Sequence, residues 1–421
     1  MWRMKYENSM PDRVLLCCYG FPPNTGIGGR RWAKLAKGLA LNGTAVEVIN
    51  ADLPQTGASP WSEDVSHSLI TVHSVPSDYP TALSHNRGGV LGRLQYRLNL
   101  YALKRREAGT VFDVACGWEP QLQAKALEII DKYGIAHVLA TGAPFNLLYY
   151  ATRLKIFRPN LHVLCDYRDP WMTAQNYGMS NLETRRKAEE QKKQDFVFAN
   201  ADVITAPNTF LCDEIVKSGC QPPLGIVREL PHFYDPDDIP KAAELPKSGS
   251  QRLVYGGALY LGLEPAMEQL QRALKHLELH APSLWEKLEI DIYTPDFEST
   301  LVQGRFSDKV RIHPAIGKAF FAELEQADAA LVFLAEHNRN FLTTKYFEYL
   351  PFQKPMLYFG PEGHVSATIE EQGIGHVVSQ PQILVEVLEA LGSKSYSDAF
   401  TKANATATLQ TRTEELLALM P

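Results

Sequence analysis

Val14-Leu-Leu-Cys-Cys-Tyr-Gly-Phe-Pro-Pro-Asn-Thr-Gly-Ile-Gly-Gly-Arg-Arg-Trp32 is the stretch on which the fold turns. Its first six residues are apolar, as in a strand buried on both faces. A glycine-rich loop follows, and Arg30–Leu41 then places Trp32, Leu35, Ala36 and Leu39 at helical spacing. Strand, glycine loop and helix in this order describe the opening of a doubly wound α/β domain, whose free amides at the helix start face an anion. Arg30 and Arg31 lie in the first turn, where the helix dipole disfavours cations. An anionic ligand explains them better than helix stability does. The spacing is neither Gly-x-Gly-x-x-Gly nor Walker-type, which weakens both of those interpretations. A plain strand-to-helix turn is the alternative.

The same alternation continues outward. Ala45–Ile49, His137–Thr141, Leu161–Cys165 and Asp202–Thr205 read as strands, separated by helical stretches near Glu119–Lys132, Pro144–Phe157, Leu182–Ala199 and Thr209–Ser218. Such alternation implies parallel pairing with right-handed crossovers. Asp235–Ser250 is rich in Pro, Asp, Ser and Gly, which suits a linker. Beyond it Arg252–Tyr255, Leu288–Tyr293, Val310–Ile312, Ala329–Phe333, Met356–Tyr358 and His376–Val378 read as strands again. The expected fold class is α/β, with two Rossmann-like doubly wound domains, 1–236 and 237–400, facing a central cleft. Ser395–Leu419 reads as helical, and about 400–421 is expected to pack back on the first domain. Two such domains suit an enzyme that holds one substrate in each.

The composition agrees with a globular enzyme. The 421 residues are 45% hydrophobic and 21% charged, with a formal net charge of -6. Binding of nucleic acid through bulk charge is disfavoured. No apolar run reaches the ~18 residues of a membrane span, and the polar start Met1–Arg13 lacks a secretory signal's apolar stretch. A cytoplasmic location is expected, with peripheral attachment to the inner membrane face as an extension. Six cysteines without Cys-x-x-Cys spacing read as reduced and structural.

Two further stretches carry chemistry. Cys165-Asp-Tyr-Arg-Asp-Pro-Trp171 begins where a strand ends, so its polar side chains project into the crevice. Arg168 would contact an anion, Asp166 or Asp169 would accept a hydroxyl, and Trp171 would form a wall. The alternative is an Arg–Asp pair that fixes a loop. In Asn340-Phe-Leu-Thr-Thr-Lys-Tyr-Phe-Glu-Tyr-Leu-Pro351, Thr343 and Thr344 are natural N-caps. Lys345 lies beside the helix start, and Glu348 shares its face one turn on. Phosphate at the start and a ribose diol on Glu348 would be the geometry of a bound nucleotide. A surface Glu is the alternative.

These three stretches, in this order, resemble the GT-B glycosyltransferases, in particular the retaining group of family 4, over most of the chain. Gly28 and Gly29 match the family's first glycine loop, and Asp166–Trp171 its acceptor-side turn. Tyr255-Gly-Gly-Ala-Leu259, with Gly257, is similar to the second-domain glycine turn. Val310–Gly317, with Ile316, resembles the stretch that cradles the nucleobase. Glu348 takes the place of the glutamate that holds the donor ribose. The resemblance implies donor binding by Gly28, Gly29, Gly257, Ile316, Thr343, Thr344, Lys345 and Glu348. It implies acceptor contacts from Arg30 and Trp171, and catalytic roles for Asp169, Arg168 and Asp166. There are departures. Asn340 stands where the family has a first glutamate, Pro231-His-Phe-Tyr-Asp235 keeps only the ends of Pro-Asn-Gly-x-Asp, and Ala258 and Leu263 replace a basic pair. Arg168, Arg30, Arg339 or Lys345 could supply that charge; otherwise the donor is bound weakly or is not a common nucleotide sugar. No cofactor and no divalent metal are implied, since no Asp-x-Asp dyad lies at the phosphate end.

The implied activity is transfer of a sugar from a nucleotide-sugar donor to a glycan or lipid-linked acceptor, with retention, in surface polysaccharide or lipopolysaccharide synthesis. Two rivals are a GT-B sugar-nucleotide epimerase and a catalytically silent scaffold. Separately, Arg87 to Arg106 carries several basic residues, with Val90, Leu91, Leu94, Leu98 and Tyr101 on one helical stripe. That pattern fits either an anionic membrane surface or a stripe packed on the first domain.

Overall fold

The computed structural model describes residues 11–24, 27–54, 59–84, 89–174, 177–218, 223, 225–240, 249–260, 262–296, 308–393 and 395–421. The chain divides into two compact units, Met1–Pro231 with Arg412–Pro421, and His232–Thr411.

The first unit holds seven strands: β1 (Arg13–Cys17), β2 (Ala45–Asp52), β3 (Ile70–Pro76), β4 (His137–Gly142), β5 (His162–Tyr167), β6 (Val203–Ala206) and β7 (Val227–Glu229). They form one parallel sheet in the order β3-β2-β1-β4-β5-β6-β7. Val14, Leu15, Leu16 and Cys17 are all fully buried, because helices cover both faces of the central strands. The helix Arg30–Leu41 buries Trp32, Leu35, Ala36 and Leu39 as its spacing predicts.

The second unit repeats the plan with β8 (Gln251–Gly256), β9 (Leu288–Thr294), β10 (Val310–Pro314), β11 (Ala329–Phe333), β12 (Met356–Phe359) and β13 (Gly375–Val377). Their order is β10-β9-β8-β11-β12-β13, again parallel. Alternation along the strands feeds two cores. Leu253, Tyr255, Leu331, Phe333, Leu357 and Phe359 face the helix Glu264–His280 through its Met267, Leu270, Leu274 and Leu277. Val254, Ala330, Val332, Met356 and Tyr358 face Phe320, Phe347 and Tyr349 on the other side.

At the edges of the first sheet lie β3 and β7, which no apolar run in the sequence marks. β3 buries only Ile70 and Val75 of its seven residues and β7 has only three residues, so neither shows the continuous apolar run of the central strands. The expected single helix over Ser395–Leu419 is two, Ser397–Asn404 and Leu409–Ala418. The five described cysteines are free thiols, and Cys220 lies outside the described residues. No described helix is long and apolar enough to cross a membrane.

Candidate active site

In each sheet the connections run one way from the first strand and the other way from the fourth. This leaves a crevice at the strands' carboxyl ends, between β1 and β4 in the first unit and between β8 and β11 in the second. The candidate residues gather at these two places.

At the first crevice the glycine loop folds onto the protein itself. A Cβ on Gly29 would overlap the main-chain carbonyl of Gly20, so the close approach requires glycine there. A Cβ on Gly28 would stand 3.0 Å from Arg168 Nη1. That guanidinium donates through Nη1 to Gly28 O (2.7 Å), through Nε to Gly142 O (3.3 Å), and through Nη2 to Ala143 O. Arg168 thus ties the loop after β1 to the loop after β4. The loop-fixing alternative describes it better than a free anion contact. Asp113 secures the same corner, accepting from the amides of Phe145 (2.6 Å), Asn146 (3.0 Å) and Ala115 (3.0 Å). Burial pushes its carboxyl up to about 6, with the amide bonds acting in the opposite direction.

Two expected contacts are corrected here, those of Asp166 and Trp171. Asp166, at the end of β5, is fully buried. It accepts from Trp32 Nε1 (2.8 Å), Thr205 Oγ1 (2.9 Å), Arg31 Nε (3.2 Å) and Arg31 Nη2 (3.3 Å). Those donors occupy its lone pairs, leaving no access for an acceptor hydroxyl. Trp171 is 1% exposed, stacks on Phe145 at 5.3 Å and donates to Glu190 Oε2 at 2.9 Å. It is core, not a wall of the site. Arg30 is buried, with its guanidinium 5.0 Å from the Trp61 ring centroid. The cation-rich first turn does face an anion, but for Arg31 that anion is the protein's own Asp166. Sequence reading missed Arg31's part because a pair 135 residues apart leaves no local pattern. Of the strand-end group, Asp169 alone is exposed; desolvation still raises its carboxyl, against the Arg168 charge.

The second crevice is arranged differently. The short helix Thr344–Tyr349 follows β11 and lies on the turn after β8. Tyr349 Oη accepts from the Gly256 amide at 3.1 Å, and a Cβ on Gly257 would overlap Cε and Nζ of Lys345. The ammonium therefore rests on the bare main chain of Gly257, 5.7 Å from the centroid of the Tyr255 ring. Burial pushes its pKa down, and the nearby Glu348 carboxylate opposes that. Thr343 holds the N-cap position with extended backbone, yet its side chain makes no capping bond to the first turn. Thr344 and Glu348 are half-buried, and Ile316 is 40% exposed beside Gly317.

The departures also find explanations. Leu263 is fully buried core and Ala258 is exposed, and neither side chain carries a charge. Arg339 pairs with Glu336 at 2.7 Å on the surface. Asn340 Oδ1 accepts from the His364 amide at 3.3 Å, holding its loop to the start of the helix His364–Glu371. Of the four cations considered from sequence, Lys345 is the one the structure places on the second glycine turn.

No family model matches this chain, and no curated protein matches it. Solved structures do. An E. coli structure described as trehalose-6-phosphate bound with UDP-2-fluoro glucose is 12% identical, with 96% of this chain and 98% of that one aligned at a TM-score of 0.63. The chain has the GT-B fold. WaaG, described as a glycosyltransferase involved in lipopolysaccharide biosynthesis, is 14% identical at a TM-score of 0.56, covering 97% and 99% of the two chains. A putative UDP-N-acetylglucosamine 2-epimerase from Listeria monocytogenes is 12% identical at a TM-score of 0.52, covering 97% and 95%.

Proposed function

We propose that this chain is a GT-B glycosyltransferase that moves a sugar from a nucleotide-sugar donor, held by the second unit, to a glycan or lipid-linked acceptor held by the first. The observation that carries this reading is Lys345 lying on the Gly257 turn, with Glu348 one helical turn further on. A partly desolvated ammonium against half-buried main chain matches the charge that develops on a departing nucleoside diphosphate. Stabilisation there lowers the barrier to breaking the anomeric bond. Glu348 would accept from the ribose hydroxyls and Ile316 would lie against the base. The uncapped first turn at Thr343 and Thr344 offers amides to the phosphates. Asp169, the exposed carboxylate of the β5 turn, would orient the acceptor hydroxyl on the face the leaving group vacates, giving retention. Surface polysaccharide or lipopolysaccharide synthesis is the setting, supported by the likeness to WaaG, and no metal is required for the leaving group.

The test is calorimetry with UDP, GDP and dTDP on the wild type and on Lys345→Ala. Wild type binds one of them, and the variant binds it about tenfold to a hundredfold more weakly, the range expected for a charged hydrogen bond. Equal affinities would remove Lys345 from the donor site. Release of nucleoside diphosphate that depends on an added glycan or lipid acceptor, and persists in a chelator, establishes metal-free transfer. The likeness to the Listeria protein favours a second reading, epimerisation. An isomerised sugar nucleotide formed without acceptor would support it instead.

A further inference from the structure

The helix Gly89–Arg106 of the first unit presents opposite faces of different character. One face is anchored: Leu103 is buried and Leu100 half-buried in a small cluster with Tyr79, Leu83, Val111 and Cys116. Arg186 fixes its end, donating to the carbonyls of Lys104 (2.5 Å), Glu107 (2.8 Å) and Gly109 (2.8 Å). The other face is bare. Val90 is 78% exposed, Leu91 82%, Leu94 53%, Leu98 61% and Tyr101 60%. At ~100° per residue these positions fall within about 100° of one another, a continuous apolar stripe. The stripe is therefore not packed on its own unit, which removes one of the two interpretations of the sequence. Among the described residues the other exposed apolar side chains, such as Leu41, Phe112 and Leu279, form no comparable run along one helix.

We propose that this helix lies in the surface of an anionic lipid bilayer, with its stripe among the acyl chains and its cations at the headgroups. Charge decides the occupant. Arg93, Arg97, Lys104 and Arg105 are all exposed, Arg106 pairs with the adjacent Glu107 at 3.0 Å, and no Asp or Glu occurs between Gly89 and Arg106, in a chain whose net charge is -6. The Arg105 guanidinium sits 5.3 Å from the centroid of the Tyr101 ring, pairing a cation with an interfacial aromatic at the stripe's end. A second copy of this chain would oppose one run of cations with another. An anionic bilayer offers acyl chains and negative headgroups together. Arg87 lies outside the described residues and is not needed.

The proposal does not depend on sugar transfer, because the test contains no nucleotide. Full-length protein is floated with phosphatidylcholine vesicles containing phosphatidylglycerol, and with pure phosphatidylcholine vesicles. It binds the anionic vesicles and releases as salt is raised. Leu91→Gln with Leu94→Gln and Leu98→Gln abolishes flotation without changing the melting temperature, since all three side chains are already in solvent. Arg93→Gln with Arg97→Gln and Arg105→Gln weakens binding about a hundredfold, near fivefold for each charge removed. Absence of wild-type binding, or full binding by either triple variant, overturns the proposal. So does concentration-dependent self-association that the leucine variant abolishes, since the stripe would then belong to a second copy.

Discussion

The two units share one strand order but differ in how their crevices are used. In the first, the glycine loop is locked: Gly29 lies against Gly20 main chain, and Arg168 is committed to carbonyls from two loops. In the second, the space above Gly257 is taken by the movable end of Lys345. A glycine pressed on backbone serves the fold. A glycine covered by a flexible, partly desolvated ammonium leaves a place that an anion can enter by moving one side chain.

The largest expected effect tests the locked side. Gly29→Ala forces a Cβ onto a carbonyl that cannot retreat, and should lower the first unit's stability by about 3 kcal/mol, the upper range for overpacking, read from urea midpoints. A loss no larger than that of Gly257→Ala would erase the distinction. Asp113 gives a comparable effect through pH. Its carboxyl moves from an ordinary 3.8 to about 6 on folding, so between those values the native state binds more protons than the unfolded one. Stability conferred by the protonated form is complete below about 4 and declines as pH rises through about 6, by up to ~3 kcal/mol. Asp113→Asn should flatten that slope in melts across the interval.

Smaller effects probe the open side. Lys345 has a lowered pKa, and a bound diphosphate would raise it again by supplying counter-charge. Nucleotide affinity should therefore fall as pH rises through the lysine's titration, and binding in that range should take up a proton. Calorimetry in buffers of different ionisation enthalpy measures this; no uptake would mean the ammonium does not meet the phosphates. Smallest of all, Gly257→Ala should cost less than about 1 kcal/mol in stability, because only a flexible side chain must yield, while displacing Lys345 and weakening nucleotide binding.

The sequence made the sheets legible where burial is on both faces. Val14–Cys17 and Ala329–Phe333 are uninterrupted apolar runs, and both are central strands. β3 escaped because only Ile70 and Val75 of its seven residues are buried, and β7 because it is three residues long. For the site, residue type located the strand ends but could not give direction. Asp166 and Trp171 stand beside Arg168 in sequence, yet one is enclosed by donors and the other is packed on Phe145. Lys345 could be named from the helix start, but its position over Gly257 depends on how that helix settles on the β8 turn, a tertiary fact.

Residues 412–421 belong to the first unit although the whole second unit precedes them. Thr413 and Leu416 are fully buried, and the Pro421 carbonyl lies 3.0 Å from His137 Nε2 at the start of β4. The second unit is thus an insertion within the first. During synthesis it can complete its fold while the earlier-made unit still lacks a piece. Ribosome-stalled chains ending at Thr411 should then protect His232–Thr411 from protease while 1–231 remains susceptible, and equal protection of both would show that the closing segment is dispensable.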